Sequence, residues 1–137
     1  MEQQMSQEVI SRSIYDQDLG YLANLVEKLN IDIGVTLVVK GLLISGMLVS
    51  GKKYYTEVSE HLQSSGVAAK AISQYFTEKA DNFGVVKQED AELNFLNLIN
   101  ISFLKGDGLM GDMKGARLRL KIEEVDGYIL GNPKNDR

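Results

Sequence analysis

Residues 31 to 50, IDIGVTLVVKGLLISGMLVS, place apolar side chains at Ile31, Ile33, Val35, Leu37 and Val39, then a Lys40-Gly41 pair, then a second apolar run from Leu42 to Val49. Alternation at every second residue sends one set of side chains to one face of an extended chain, and glycine accepts the positive φ of a tight turn. The stretch therefore reads as a β-hairpin, and its apolar face has to be covered. The preceding segment supplies a cover: Leu19, Leu22, Val26 and Leu29 recur at helical spacing between about Ile14 and Leu29, with Asn30 as the stop. Gly34 and Gly46 lie inside the strands, where glycine marks a bulge or a bend.

After the hairpin, Ser50 stands where an N-cap belongs, and a helix is expected from Gly51 to about Leu62 with Tyr54, Val58 and Leu62 on one face. Ser64-Ser65-Gly66 breaks it, and Val67 to Ala80 reads as a second helix presenting Ile72, Tyr75, Phe76 and Lys79. The run AELNFLNLINISFL, Ala91 to Leu104, is apolar on both sides in its middle, as a strand covered on both faces would be. Two further strands, ARLRLKI and VDGYIL, follow, with Asp126-Gly127 expected as a turn or bulge between them. The termini, 1–12 and 132–137, read as flexible.

This order predicts an α+β fold in a single domain over 1–137: a small, strongly bent antiparallel sheet of four or five strands, or an SH3/Sm-like barrel, with an N-terminal helix and a helical insert after the first hairpin. A chain of 137 residues, 44% hydrophobic, can bury a core without staples. It has no cysteine, which excludes disulfides, thiolate catalysis and Cys-type zinc or iron–sulfur sites. The first residues, MEQQMSQEVISRS, have neither the basic nor the apolar region of a signal peptide, and no later run reaches membrane-spanning length. A cytoplasmic protein, with no membrane partner, is expected. The net charge of −4 disfavours nucleic acid as the main partner.

Two patterns invite a catalytic or nucleotide reading, and both fail on context. Gly106 to Gly111, within GDGLMGDMKG, satisfies G-x-G-x-x-G, but the chain that follows alternates as a strand does, whereas a pyrophosphate cradle needs a helix there. Asp107 and Asp112 would repel phosphate and are too sparse for an EF-hand loop, so residues 106–115 read as a mobile connector between strands. The single histidine, His61, is expected on a helix surface one turn from Glu57. Glu123 and Glu124 would point to opposite faces of a strand, which removes them as an acid–base pair. No catalytic, metal or cofactor residues are assigned, and an enzyme is not expected.

The most informative polar feature is a row of cations, Arg117, Arg119 and Lys121, on one face of the ARLRLKI strand. Such a face is solvated or lies against carboxylates, and it serves as an edge protected by charge or as a partner-binding strip. Aromatics interleaved with the cations, which base stacking would require, are missing from this strand.

Two blocks carry a family resemblance. The first is the glycine turn at Gly41 followed by Ile44-Ser45-Gly46-Met47-Leu48-Val49-Ser50 and the aromatic pair Tyr54-Tyr55; the second is a basic strand running into Val125-Asp126-Gly127-Tyr128-Ile129-Leu130-Gly131. Together with the FLNLINISF strand, residues 32–60 and 118–132 resemble the gas vesicle accessory protein U family. The resemblance implies a non-enzymatic accessory role in the assembly or clustering of gas vesicles, with shell or accessory proteins, or a second copy, as partners. It carries no catalytic or cofactor residues. It marks Gly41, Gly46, Asp126, Gly127 and Gly131 as backbone-shaping positions. The alternative reading is an Sm-like small-barrel binding module for RNA or peptide.

Overall fold

The computed structural model describes residues 16–63, 66–83, 94–105, 108–112 and 116–131. Helix α1 (Gln17–Leu29) begins at Asp16, whose side chain accepts the Asp18 N–H, and ends at Asn30 in the left-handed conformation. It leads into strands β1 (Ile33–Val39) and β2 (Leu42–Val49), then helices α2 (Gly51–Gln63) and α3 (Val67–Asn82). Strands β3 (Phe95–Lys105), β4 (Gly108–Asp112), β5 (Arg117–Lys121) and β6 (Gly127–Leu130) complete the fold, with a 3-10 turn, Ile122–Glu124, before β6.

The hairpin forms as expected. Lys40 and Gly41 both take positive φ, 50° and 82°, which matches the twist of the strands they join. The carboxylate of Asp126 accepts the Lys40 N–H at 2.8 Å, and Glu124 pairs with the Lys40 ammonium. Asp126 is thus no local turn former: it holds a hairpin tip 86 residues away.

All pairings are antiparallel, in the order β4-β3-β2-β1-β6, and β5 also pairs with β3. Strand β3 is long enough to take β4 at one end, Ser102 to Lys105, and β5 at the other, Phe95 to Ile99. The last two strands lie on opposite edges of the sheet, so Asp126-Gly127 does not link a hairpin. The chain crosses between them at the sheet end, where Ile122 is fully buried, and this puts Glu123 and Glu124 in a 3-10 turn, off any strand.

Among the described residues the sheet is open. Barrel closure, the SH3/Sm-like alternative, would need β6 to reach β4 or β5, whereas the four-residue β6 pairs with β1 alone. The glycine-rich connector is corrected as well: Gly108–Asp112 form β4 against β3, and the remaining residues of 106–115 lie outside the described set, as do the termini 1–12 and 132–137.

One sheet face is aliphatic. Val35, Leu37, Ile44, Leu48, Leu96, Leu98 and Ile101 meet Leu19, Ala23 and Val26 of α1 there, with Ile122 closing the end. A bulge keeps β3 in this pattern. Gly46 lies opposite both Asn100, at φ 53°, and Ile101, and the register shift returns Ile101 to the face of Leu96 and Leu98. A Cβ on Gly46 would sit 3.0 Å from the Ile99 carbonyl oxygen and 3.1 Å from Ile101 Cγ2, so the bulge is packed around glycine. Gly34, by contrast, pairs in regular register with Met47.

The helical pair corrects the expected faces. Its buried side is Gly51, Tyr55 and Ser59 on α2, while Ile72 and Tyr75 of α3 are exposed and Ser73 and Ala80 are buried. Leu29 of α1 is exposed too.

Candidate functional site

The cationic row lies where β5 meets α2. Arg117 pairs with Ile99, Arg119 with Asn97 and Lys121 with Phe95 in the β3–β5 ladder, so alternation puts all six side chains on the face away from α1. Helix α2 is held over that region. Its start is fixed by Ser50, whose hydroxyl accepts the Lys53 N–H at 3.1 Å, and by Glu27 of α1, whose carboxylate accepts the Gly51 N–H at 2.7 Å. Burial pushes the Glu27 carboxyl above the ordinary carboxylate range, opposed by the Gly51 hydrogen bond and the positive charge of Arg119.

From this helix Glu57 reaches Arg117, accepting from Nη2 at 3.2 Å and Nε at 3.3 Å. The pair is largely shielded, at 19% exposure for the Arg117 side chain and 27% for that of Glu57. Arg119 donates to Asn97 Oδ1 at 3.2 Å, and its guanidinium lies 4.0 Å from the Phe95 ring centre and 5.5 Å from that of Tyr55. A planar cation between two aromatic faces is held by their quadrupoles. Tyr55 in turn contacts Tyr54, Phe76 and Phe83, and Lys79 approaches its ring. Lys121 is exposed.

The row therefore divides. Arg117 and Arg119 bind α2 to the sheet, and Lys121 faces solvent. Sequence reasoning placed the three on one face and missed their partners, because Glu57 lies 60 positions from Arg117 and leaves no local pattern. The aromatic pair Tyr54-Tyr55 was the visible signal of this junction.

Elsewhere, Ser59 and Ser73 exchange hydroxyl–carbonyl hydrogen bonds at 3.2 and 3.1 Å across the α2–α3 contact, and Ser59 Oγ lies 2.5 Å from Thr77 Oγ1. Beside them is a recess of about 160 Å³ lined by Thr56, Ser59, Glu60, Gln63, Thr77 and Asp81, well below the ~300 Å³ at which small-molecule pockets begin. His61 is exposed on α2. No group of three or more metal-ligating side chains occurs among the described residues, and no helix there is long and apolar enough to cross a membrane.

The two blocks that carry the resemblance meet in space. Strand β6 pairs with β1, and Thr36 donates to the Gly131 carbonyl at 2.9 Å. With its proton committed there, the Thr36 hydroxyl receives that of Ser45 at 2.8 Å. The I-S-G serine is thus joined to the final glycine of the V-D-G block. Gly131 takes φ 120°, whereas Gly127 does not need positive φ.

Comparison with the curated proteins and with the solved structures finds no match. The sequence model of one family, described as gas vesicle protein GvpU-like, matches residues 16–133, which span α1 to the end of β6 and contain both blocks; the chain belongs to the GvpU-like family of gas vesicle proteins.

Proposed function

We propose that the protein is a non-enzymatic accessory protein that acts in the cytoplasm on the assembly or clustering of gas vesicles, through contacts with shell or other accessory proteins. The observation that carries this reading is the family match over residues 16–133. The contact strip is the β5 row: Lys121 meets acidic groups of the partner, while Arg117 and Arg119 set the strand and α2 in place beside it. An exposed lysine in an acidic chain attracts carboxylates in a manner that salt weakens.

The test uses vesicle-forming cells. Deleting the gene is expected to change vesicle number or clustering under electron microscopy, and unchanged vesicles would sink the reading. In complemented cells Lys121→Glu should disperse clusters or abolish capture of shell proteins while leaving the melting temperature within about a degree, as surface substitutions do. If deletion has an effect and Lys121→Glu has none, the contact lies elsewhere on the surface.

A further inference from the structure

The two edges of the sheet are built differently. One edge is formed by β4 and β5, and β5 carries Arg117, Arg119 and Lys121. Among the described residues the other is β6, Gly127-Tyr128-Ile129-Leu130, with neither charge nor proline in it. Natural edge strands are commonly protected by charge, proline or a bulge, because a row of unpaired backbone groups templates another strand. Strand β6 is blunted by its length of four residues, and by none of these three devices. Ile129 is 57% exposed and Leu130 61%, and their positions in the ladder put them on opposite faces of the sheet.

The backbone fixes what such an edge can take. Gly131 donates its N–H to the Gly34 carbonyl at 2.8 Å, so Ile129, two residues back, also turns its backbone groups toward β1. Those of Tyr128 and Leu130 point away from the sheet. An occupant has to be an extended segment that offers outward groups at every second residue.

We infer that β6 pairs with β6 of a second copy, antiparallel about a two-fold axis through Ile129. In that register Tyr128 of each copy exchanges hydrogen bonds with Leu130 of the other, so every outward group of the two residues is used. Ile129 meets Ile129 of the second copy on one face, and Leu130 meets Tyr128 on the other. An isologous contact of this kind is self-complementary, and its uncharged centre sets no like charges directly opposite each other, while the net charge of −4 on each chain opposes approach until salt screens it. A contact this short buries less than the ~1,000 Å² of a stable interface, so the association is weak and concentration-dependent. The inference does not rest on the proposed function. It concerns the isolated chain, and a failed vesicle assay leaves it standing.

The experiment uses the full chain, which has no cysteine of its own. In the proposed register Ile129 and its symmetry mate form a non-hydrogen-bonded pair with Cα atoms about 4.5 Å apart, within the disulfide range. With oxidised glutathione as electron acceptor, Ile129→Cys should form a disulfide dimer at least about tenfold faster than Ile72→Cys, an exposed position on α3, because pairing raises the local thiol concentration. Sedimentation of the unaltered chain should show an average mass rising with concentration from one chain toward two. Ile129→Lys, which sets two charges opposite each other, should remain a monomer. Equal crosslinking at the two positions overturns the inference even if Ile129→Lys fails to fold. So does an unaltered chain that stays monomeric at every concentration. If Ile129→Lys then weakens capture by vesicle shells, the edge belongs to a partner's strand.

Discussion

The face of the sheet under α1 and the contact between α2 and α3 are both interiors, but different forces hold them. The first is an aliphatic cluster of leucine, isoleucine and valine from α1 and four strands, with alanine as its smallest member. The second has a small aromatic centre, Tyr55, Ala80 and Phe83, and is otherwise closed by the hydroxyls of Ser59, Ser73 and Thr77. Apolar burial is non-directional and grows with area, whereas a hydrogen bond contributes little net stability and depends on geometry. The helical pair is also joined to the sheet through a few side chains, Glu57 and Tyr55 among them, and to α1 through Glu27. It is thus the region expected to open locally while the sheet stays folded.

The largest effect should come from the aliphatic region. Leu37 is fully buried under α1, and Leu37→Asp places an unpaired carboxylate there, at a cost of more than about 4 kcal/mol. The variant should lose cooperative thermal unfolding altogether; a soluble, cooperative Leu37→Asp protein would show that this core is not continuous.

Next is Tyr55→Ala, which empties the aromatic centre and removes the ring against Arg119, at about 3–5 kcal/mol. Here the loss should be confined. Amide exchange should accelerate by two or more orders of magnitude (about 1.4 kcal/mol each) across α2 and α3 and change little in β1 and β2. Equal acceleration in both regions would merge them into one cooperative unit.

The smallest effect concerns Glu27, which ties α1 to the start of α2. Its carboxyl is raised by burial, so the native state holds this proton more tightly than the unfolded chain does. The resulting stabilisation is fully present below the ordinary glutamate range and is lost as pH rises through the elevated value. Glu27→Gln should flatten that slope in urea unfolding midpoints measured across mildly acidic pH. An unchanged slope would assign it to other carboxylates.

These contrasts explain what was legible in the sequence. The hairpin, α1 and the alternation of β5 could be read because their apolar side chains repeat at the period of their own element. The α2–α3 contact could not, since Ser59 and Ser73 look like surface residues and the exposed Ile72 and Tyr75 look like core. Strand β4 was hidden by its glycines, and only its pairing with the adjoining C-terminal end of β3 makes it a strand. The cationic row was located correctly, but the partners that hold Arg117 and Arg119 come from other elements. The expected link between β5 and β6 failed for a related reason. Asp126-Gly127 reads as a turn or bulge between two strands adjacent in sequence, while the buried Ile122 carries the chain across the sheet end.

The bond from Asp126 to the hairpin tip also bears on the order in which the molecule can be completed. Strand β1 is made before the other strands, and its outer neighbour β6 leaves the ribosome only after all of them. At synthesis rates of about 5–20 residues per second, the 86 positions between Lys40 and Asp126 amount to several seconds. For that interval Thr36 and Val38 have their outward backbone groups without the strand that later covers them, on an apolar segment suited to pairing with a neighbouring nascent chain. Strand β6 therefore acts as the closure of the hairpin's open side, which is first covered once residues 127–130 have been made.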